Sequence, residues 1–248
     1  MTTSEIQYLE DLPTPEHILC VYAHPDDAEF FCGGTLAKWA QEGAKITLFL
    51  ITSGDKGSGN MGVMDHALVA SEREAEARAA AEVLGMSEVI FLRWCDGEIA
   101  PDHALRREVV RMIRLKRPDA VVSSDPLLRY REARSVNHPD HWSVAEAVQG
   151  AVYPAARDHL NFLELFRDEQ LAPHKTRWLY LALPTVPNYR VEITAYRQTQ
   201  INALKQHRSQ IGEPEEFEKR MAQRFDKTLT ENEESPRYVE YFRVIELG

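Results

Sequence analysis

The sequence predicts an α/β protein with a mostly parallel central sheet and helices on both of its faces. Apolar runs and segments of helical spacing alternate four times over residues 18–153, the pattern of parallel strands joined by helices. The runs are continuous rather than alternating, as expected for strands covered on both faces. With 248 residues, 44% of them hydrophobic, the chain can bury one large core.

The first strand is predicted over residues 18–23, and Pro25 ends it at a turn. The next apolar residues recur at near-helical spacing as far as Gly43, which is a typical residue to end a helix. Residues 45–52, a β-branched and aliphatic run, form the second predicted strand. The chain therefore begins with a strand, a helix and a second strand.

Two further units repeat this order. A helix over residues 68–84 precedes a strand over 89–92, and a helix over 103–116 precedes a strand over 120–123. A fourth helix is predicted from residue 138 to about residue 153. Because such strands lie parallel, their carboxyl ends are expected at one edge of the sheet.

The pattern is looser beyond Pro154. We predict strands over residues 178–183, 190–193 and 238–245 and a helix over 195–211. No internal repeat or linker divides the chain. We therefore expect a single domain over residues 1–248, built from a core and a C-terminal extension packed on it. The predicted boundaries are 1–160 and 161–248.

Composition excludes several classes of protein. A formal net charge of −10 and the lack of a basic block argue against nucleic acid as the main partner. No apolar segment approaches the ~20 residues of a membrane span, and the polar start does not resemble a signal peptide. Three cysteines without a CxxC pair disfavour a disulfide framework and a cysteine zinc site. A cytoplasmic location fits best.

Four polar clusters follow predicted strands and precede predicted helices, so we expect them at one edge of the sheet. They are the HPDD, SGDKG, CDGE and HPDH segments, at residues 24–27, 53–57, 95–98 and 138–141. The glycine-rich second cluster lacks the GxxxxGK[ST] and GxGxxG patterns, which makes a nucleotide site a weak interpretation.

The first and last clusters have the composition of a metal site. An imidazole and a carboxylate three residues apart, His24 and Asp27, can face one point on a sharp turn, which leaves Asp26 free for proton transfer. The HPDH segment can add a third ligand. Such a nitrogen and oxygen ligand set suits Zn²⁺, with Fe²⁺, Co²⁺ and Mn²⁺ as alternatives. The competing interpretation is that these acids occupy ordinary first turns of helices.

Together these features resemble the LmbE/PIG-L family of zinc-dependent de-N-acetylases. The resemblance covers nearly the whole chain and rests mainly on the HPDD and HPDH motifs. Other matching features are Gly33-Gly34, Thr52-Ser53-Gly54, Arg73-Glu74 and His207-Arg208-Ser209-Gln210. It implies a Rossmann-like three-layer fold, and an enzyme that removes acetyl from an N-acetylglucosamine-type sugar by attack of a zinc-bound water.

The resemblance also implies roles for individual residues. The metal ligands would be His24, Asp27 and His141, and Asp26 would be the general base. His138, oriented by Asp140, would act as an imidazolium that stabilises the oxyanion or protonates the leaving amine.

Substrate contacts are implied as well. Arg73 and Asp96 would bind sugar hydroxyls, and His207 is a further candidate site residue. Tyr130 is an alternative to His138 for stabilising the oxyanion or protonating the amine. Three arginines precede the second motif and could meet an anionic group of the substrate or form a solvated loop: Arg129, Arg131 and Arg134.

Other functions stay open at this point. The chain could be a related zinc amidase that cleaves another acylamino sugar or a thiol conjugate. It could also be a carbohydrate-binding protein on a retained hydrolase scaffold, although a binder has no need of Asp26. The expected partner is a small amino sugar rather than nucleic acid or membrane, and the resemblance favours a homo-oligomer, either a trimer or a hexamer.

Overall fold

The computed structural model describes residues 8–10, 12–58, 62–131, 135–230 and 235–248. Within this part of the chain seven strands form one sheet, in the order β3-β2-β1-β4-β7-β9-β8, and two short strands form a hairpin. The strands are β1 (His17–Tyr22), β2 (Lys45–Thr52), β3 (Glu88–Trp94), β4 (Ala120–Ser124), β5 (Tyr130–Arg131), β6 (Ser135–Val136), β7 (Trp178–Ala182), β8 (Tyr189–Glu192) and β9 (Val239–Glu246).

Helices cover both faces of the sheet. The α-helices of the described residues are α1 (Asp27–Gln41), α2 (His66–Leu84), α3 (His103–Lys116), α4 (Pro139–Gly150), α5 (Leu163–Arg167), α6 (Arg197–Leu204), α7 (Arg208–Ile211) and α8 (Pro214–Ala222). Side-chain caps mark several starts: Asp65 accepts from the first amides of α2, and Asp102 does the same for α3. Gly85 ends α2 in the left-handed conformation.

The sheet separates two layers of core. Alternate residues of β1 and β4 face opposite sides: Ile18 and Cys20 pack with α1, whereas Leu19 and Val121 pack with α3 and α4. All of these side chains are fully buried or nearly so. The predicted three-layer α/β fold is confirmed, with β3, β2, β1, β4 and β7 parallel and β9 antiparallel to β7.

The C-terminal residues extend the sheet rather than only packing on it. Strand β7 pairs with β4, and β9 lies between β7 and β8. The helix predicted over 195–211 is broken, because α6 ends at Leu204 and α7 begins at Arg208. No helix in the described ranges is both long and apolar enough to cross a bilayer.

A buried carboxylate joins the two halves of the molecule. Helix α1 is interrupted at Cys32, whose φ of −154° is not helical. Just after this break the backbone N–H groups of Gly34 and Thr35 donate to the Glu240 carboxylate of β9, at 3.0 and 2.7 Å. A Cβ on Gly34 would lie 2.5 Å from Ile193, so the C-terminal half packs directly on this helix.

Candidate metal centre

The four polar clusters meet at the carboxyl edge of the parallel strands, as predicted. They surround a cavity of about 540 Å³. Seven of the residues singled out in the sequence line it: His24, Asp26, Asp27, Arg73, Asp96, His138 and His141.

The first turn is held in an unusual backbone conformation. Asp26, which immediately precedes α1, has φ of 97°, in the left-handed region that non-glycine residues rarely adopt. Arg73 supports the turn by donating from Nη2 to the Pro25 carbonyl at 2.8 Å and from Nη1 to the Gly54 carbonyl at 3.1 Å. The buried Arg73 thus ties the first turn to the loop after β2.

Two ring nitrogens and one carboxylate group converge between the two motifs. His24 Nδ1 lies 3.2 Å from His141 Nε2, and Asp27 Oδ1 lies 3.0 Å from His141 Nε2. The second oxygen of Asp27 is 3.6 Å from His24 Nδ1. Tetrahedral zinc with bonds of about 2.0–2.1 Å separates its ligand atoms by about 3.3 Å. The residues present therefore fit a zinc ion.

Neighbouring groups fix which ring nitrogens face this point. His24 Nε2 lies 3.0 Å from Asp96 and 3.3 Å from Asp140, so its proton belongs on that side. His141 Nδ1 lies 3.0 Å from the Asn137 side-chain oxygen and donates to it. In these tautomers the facing nitrogens carry lone pairs beside a carboxylate, an arrangement that a cation between them stabilises.

The charged side chains of this cluster shift one another's pKa values. Burial alone would lower the pKa of His24, but hydrogen bonds to Asp140, Asp27 and Asp96 raise it to about 12 in the metal-free chain. Burial raises the pKa of Asp27, yet His141 and His24 outweigh it and hold that pKa well below its ordinary value. A proton on His24 Nδ1 competes with a metal for one lone pair, so metal binding should release a proton.

Two other groups of side chains also bring metal-ligating atoms within 4.8 Å of one another: His24, His138 and His141, and His24, Asp96 and Asp140. In the second group both carboxylates face His24 Nε2 and share its proton. The two carboxylates are therefore placed to orient the His24 ring rather than to bind an ion themselves.

Asp26 stands next to the cluster with a different ionisation. Burial and the charge of Asp27 raise the pKa of Asp26 to about 7, against the opposing charges of Arg73 and His207. Arg73 Nη2 is 3.5 Å from its carboxylate. A carboxyl group that titrates near neutrality beside a metal site has the properties of a general base.

The second motif differs from its predicted geometry in two respects. The Asp140 carboxylate accepts from Gly97 N–H at 2.7 Å and Ile99 N–H at 3.3 Å and faces His24, whereas it was expected to orient His138. His138 Nδ1 instead accepts the backbone N–H of Asp140. Burial and the charge of His24 lower the pKa of His138, which favours the neutral ring over the predicted imidazolium.

Tyr130 and Arg129 are not among the residues that line the cavity. Tyr130, on β5, is 70% exposed. Arg129 stacks on Trp142, with its guanidinium carbon 3.8 Å from the ring centre. Arg134 and the side chain of Arg131 lie outside the described residues.

His207 is fully buried beneath α1. Its Nε2 lies 3.7 Å from a carboxylate oxygen of Glu29, which is fully buried as well, and none of their side-chain polar atoms has a hydrogen-bond partner among the described residues. Sequence reasoning missed Glu29, Asn137 and Arg224. Glu29 and Asn137 adjoin the motifs, and Asn137 lies four residues before His141 in the loop that leads into α4, which is a usable signal. Arg224 has no such signal.

The chain is similar to several known proteins. Residues 19–152 match the PIG-L family, described as GlcNAc-PI de-N-acetylase. The diacetylchitobiose deacetylase of Thermococcus kodakarensis is 32% identical over 79% of this chain and 70% of its own. The 1D-myo-inositol 2-acetamido-2-deoxy-alpha-D-glucopyranoside deacetylase of Saccharomonospora viridis is 29% identical over 78% of this chain and 85% of its own.

The fold is also similar to that of a solved deacetylase structure. The N,N'-diacetylchitobiose deacetylase from Pyrococcus horikoshii, complexed with an inhibitor, superposes with a TM-score of 0.81 at 26% identity. The match covers 94% of this chain and 84% of that one. The family match, which spans more than half of the chain, together with the 32% identical relative, shows that this protein belongs to the PIG-L family.

Proposed function

We propose that the chain is a zinc-dependent hydrolase that removes the acetyl group from an N-acetylglucosamine-type amino sugar. The observation that carries this proposal is the convergence of His24 Nδ1, His141 Nε2 and the Asp27 carboxylate at distances of 3.0–3.6 Å. The names of the relatives, deacetylases of diacetylchitobiose and of a 2-acetamido sugar, support the substrate class.

His24, Asp27 and His141 would hold the metal, since three protein ligands are typical of catalytic zinc sites. When bound, zinc supplies a Lewis acid that polarises carbonyl oxygens and lowers the pKa of water from 15.7 towards ~7. Asp96 and Asp140 keep the His24 proton on Nε2, which leaves Nδ1 free for the ion. The Asn137 side-chain oxygen accepts the His141 proton on Nδ1, which leaves Nε2 of that ring free for the ion.

Asp26 is the proposed general base. Its carboxylate lines the cavity beside the ligands, and a pKa of about 7 allows it to accept a proton from the attacking water at neutral pH. Transfer of that proton to the substrate nitrogen accompanies cleavage of the amide C–N bond. The products are acetate and the free amine, with one water consumed.

His138 is the proposed donor to the reacting carbonyl. Because its Nδ1 accepts the Asp140 N–H, the neutral ring carries its proton on Nε2. From the cavity wall this N–H can stabilise the negative charge that develops on the amide oxygen. A neutral donor serves this purpose, so the low pKa of His138 is compatible with the role.

Arg73 and Asp96 remain our candidates for binding sugar hydroxyls. Asp96 uses Oδ1 against His24, while Oδ2 has a longer contact of 3.4 Å with the Lys56 N–H and can accept a hydroxyl. Two nitrogens of Arg73 already donate to backbone carbonyls, Nη2 to Pro25 in the first turn and Nη1 to Gly54 in the loop after β2. Its Nε has no partner among the described residues.

The test is acetate release from N-acetylglucosamine and diacetylchitobiose by chelator-stripped protein, before and after one equivalent of Zn²⁺. Acetate that appears only with the metal is the expected result. An N-propionyl analogue shows whether the enzyme is selective for acetyl. Binding of one zinc without acetate from either sugar would contradict the deacetylase proposal and favour another acyl group or a binding role.

A further inference from the structure

A second cavity adjoins the metal centre. It has a volume of about 310 Å³, which is within the usual range for ligand sites. Four residues line both cavities, so the two lie side by side: Phe30, Phe31, Leu183 and Arg224. A substrate whose acetamido group reaches the metal centre can therefore extend its other end into this second cavity.

The second cavity has apolar walls with a small number of charged groups. Tyr238 and Tyr241 line it in addition to the two shared phenylalanines. Aromatic and apolar walls with few polar groups are typical of small-molecule sites, where the polar groups set orientation and specificity. The charged residues therefore indicate which ligand the cavity accepts.

Three charged side chains line the second cavity, and two of them already have partners. The Glu240 carboxylate accepts from Gly34, Thr35 and Gln200. Arg197 is 9% exposed, lies over the Tyr238 ring and donates to Gln200, while its Nε has no partner among the described residues. This buried N–H is a donor that a ligand oxygen can satisfy.

Arg224 is the third charged group, and it stands where the two cavities join. Its side chain is exposed, and within the described ranges no ion pair or side-chain hydrogen bond is recorded for its guanidinium. The cavity therefore carries two cations and one fully hydrogen-bonded carboxylate. This balance favours an anionic ligand, and a guanidinium binds a carboxylate or phosphate through paired hydrogen bonds.

We propose that this cavity is the subsite for the group attached to the amino sugar, that this group is anionic, and that Arg224 selects it. The inference rests on the proposed deacetylase function and narrows its substrate class to amino sugars that carry a carboxylate or phosphate beyond the ring. Arg197 supplies a second donor at the wall, and the aromatic residues cover the apolar part of the group.

The experiment compares two glycosides of equal size. The carboxymethyl glycoside of N-acetylglucosamine carries a carboxylate, and the carbamoylmethyl glycoside replaces it with a neutral amide. For the zinc-loaded protein we expect kcat/KM to be about tenfold or more higher for the carboxylate, the effect of one charge-assisted hydrogen bond. N-acetylglucosamine 1-phosphate tests whether phosphate is preferred to carboxylate.

Arg224→Gln should bring the ratio of the two kcat/KM values to about one. Arg224→Lys should retain part of the preference, because it keeps the charge but loses the paired geometry. Lys227→Gln is the matched control, since Lys227 is an exposed cation of the same segment that lines neither cavity. It should leave the ratio unchanged.

Two results would overturn the subsite. One is a wild-type protein that prefers the neutral glycoside or does not discriminate, and the other is an Arg224→Gln variant that slows both glycosides equally. If no sugar releases acetate, the deacetylase function fails separately. Calorimetric binding of the two glycosides to the wild type and to Arg224→Gln then still decides whether this cavity selects an anion.

Discussion

The HPDD and HPDH turns share their first three letters, yet their third residues have opposite surroundings. Asp26 lines the cavity and titrates near neutrality. Asp140 is fully buried, and its carboxylate accepts two backbone N–H groups and faces the outer nitrogen of His24. The same motif position therefore holds the proposed proton acceptor in one turn and, in the other, a carboxylate that supports His24, a proposed metal ligand.

The backbone explains the difference. Asp26 adopts a left-handed conformation before α1, and Arg73 holds the adjacent Pro25 carbonyl. His138 precedes α4 in an extended conformation, so Asp140 falls in the first regular turn of that helix, next to the loop after β3. Identical letters thus do not assign identical roles, because the surrounding loops determine where each carboxylate points. Substitutions in the two turns can test this distinction.

The largest effect is expected from His141→Ala, which removes a ligand that the second turn contributes. Loss of an outer hydrogen-bond partner typically weakens a metal site by about 10- to 100-fold, and loss of a ligand should weaken zinc binding more than that. Acetate release should fall to background at one equivalent of zinc. Zinc content after gel filtration is the measurement, with His159→Ala, a histidine far from the site, as control. Full zinc retention would exclude His141 as a ligand.

Asp26→Asn should be the next most severe change. It removes the proposed base without removing a ligand, so turnover should fall by about 10²- to 10⁴-fold while zinc binding persists. The measurement is kcat at saturating zinc together with zinc stoichiometry. Unchanged turnover would show that Asp26 is not the base. The proposed difference in role between Asp26 and Asp140 would then be wrong.

Asp140→Asn should lower zinc affinity more than it lowers kcat at saturating zinc. The substitution removes a negative charge beside the His24 Nε2 proton, and we expect zinc affinity to fall by about 10- to 100-fold. At saturating zinc, kcat should fall much less than in Asp26→Asn. A large loss of kcat with normal zinc affinity would mean that Asp140 acts through His138 after all.

The smallest effect is expected from Asn137→Ala. This change removes the acceptor that orients the His141 ring, and zinc affinity should fall by about 10-fold. Competition with a chromogenic chelator measures it, and Asn202→Ala on an exposed part of α6 is the control. An unchanged zinc affinity would show that the His141 ring is oriented without the Asn137 side chain.

Much of the fold could be predicted from local sequence patterns. Continuous apolar runs predicted the parallel strands, and the polar cluster after each strand predicted the edge where the site lies. Motif spacing on one short turn predicted that His24 and Asp27 can face one point, whereas His141 was implied as the third ligand by the family resemblance. Where a contact was local, prediction and structure agree.

Predictions failed where contacts join distant parts of the chain. The helix expected over 195–211 is broken before Arg208. At the break His207 lies against Glu29 of α1, and Ser209 is hydrogen-bonded to Glu76 of α2. The Asp140 carboxylate is paired by the loop after β3. None of these partners can be identified from spacing along the sequence.

The sequence by itself determined the order of strands and helices, the shared edge and the residue types of a metal site, because hydrophobic periodicity and turn chemistry are local properties. The tertiary structure alone decided which carboxylate faces the cavity, which nitrogen of each histidine is free and where Arg224 lies. Those features depend on burial and hydrogen bonds between residues up to about two hundred positions apart, such as Glu240 and Gly34, which only the folded chain brings together.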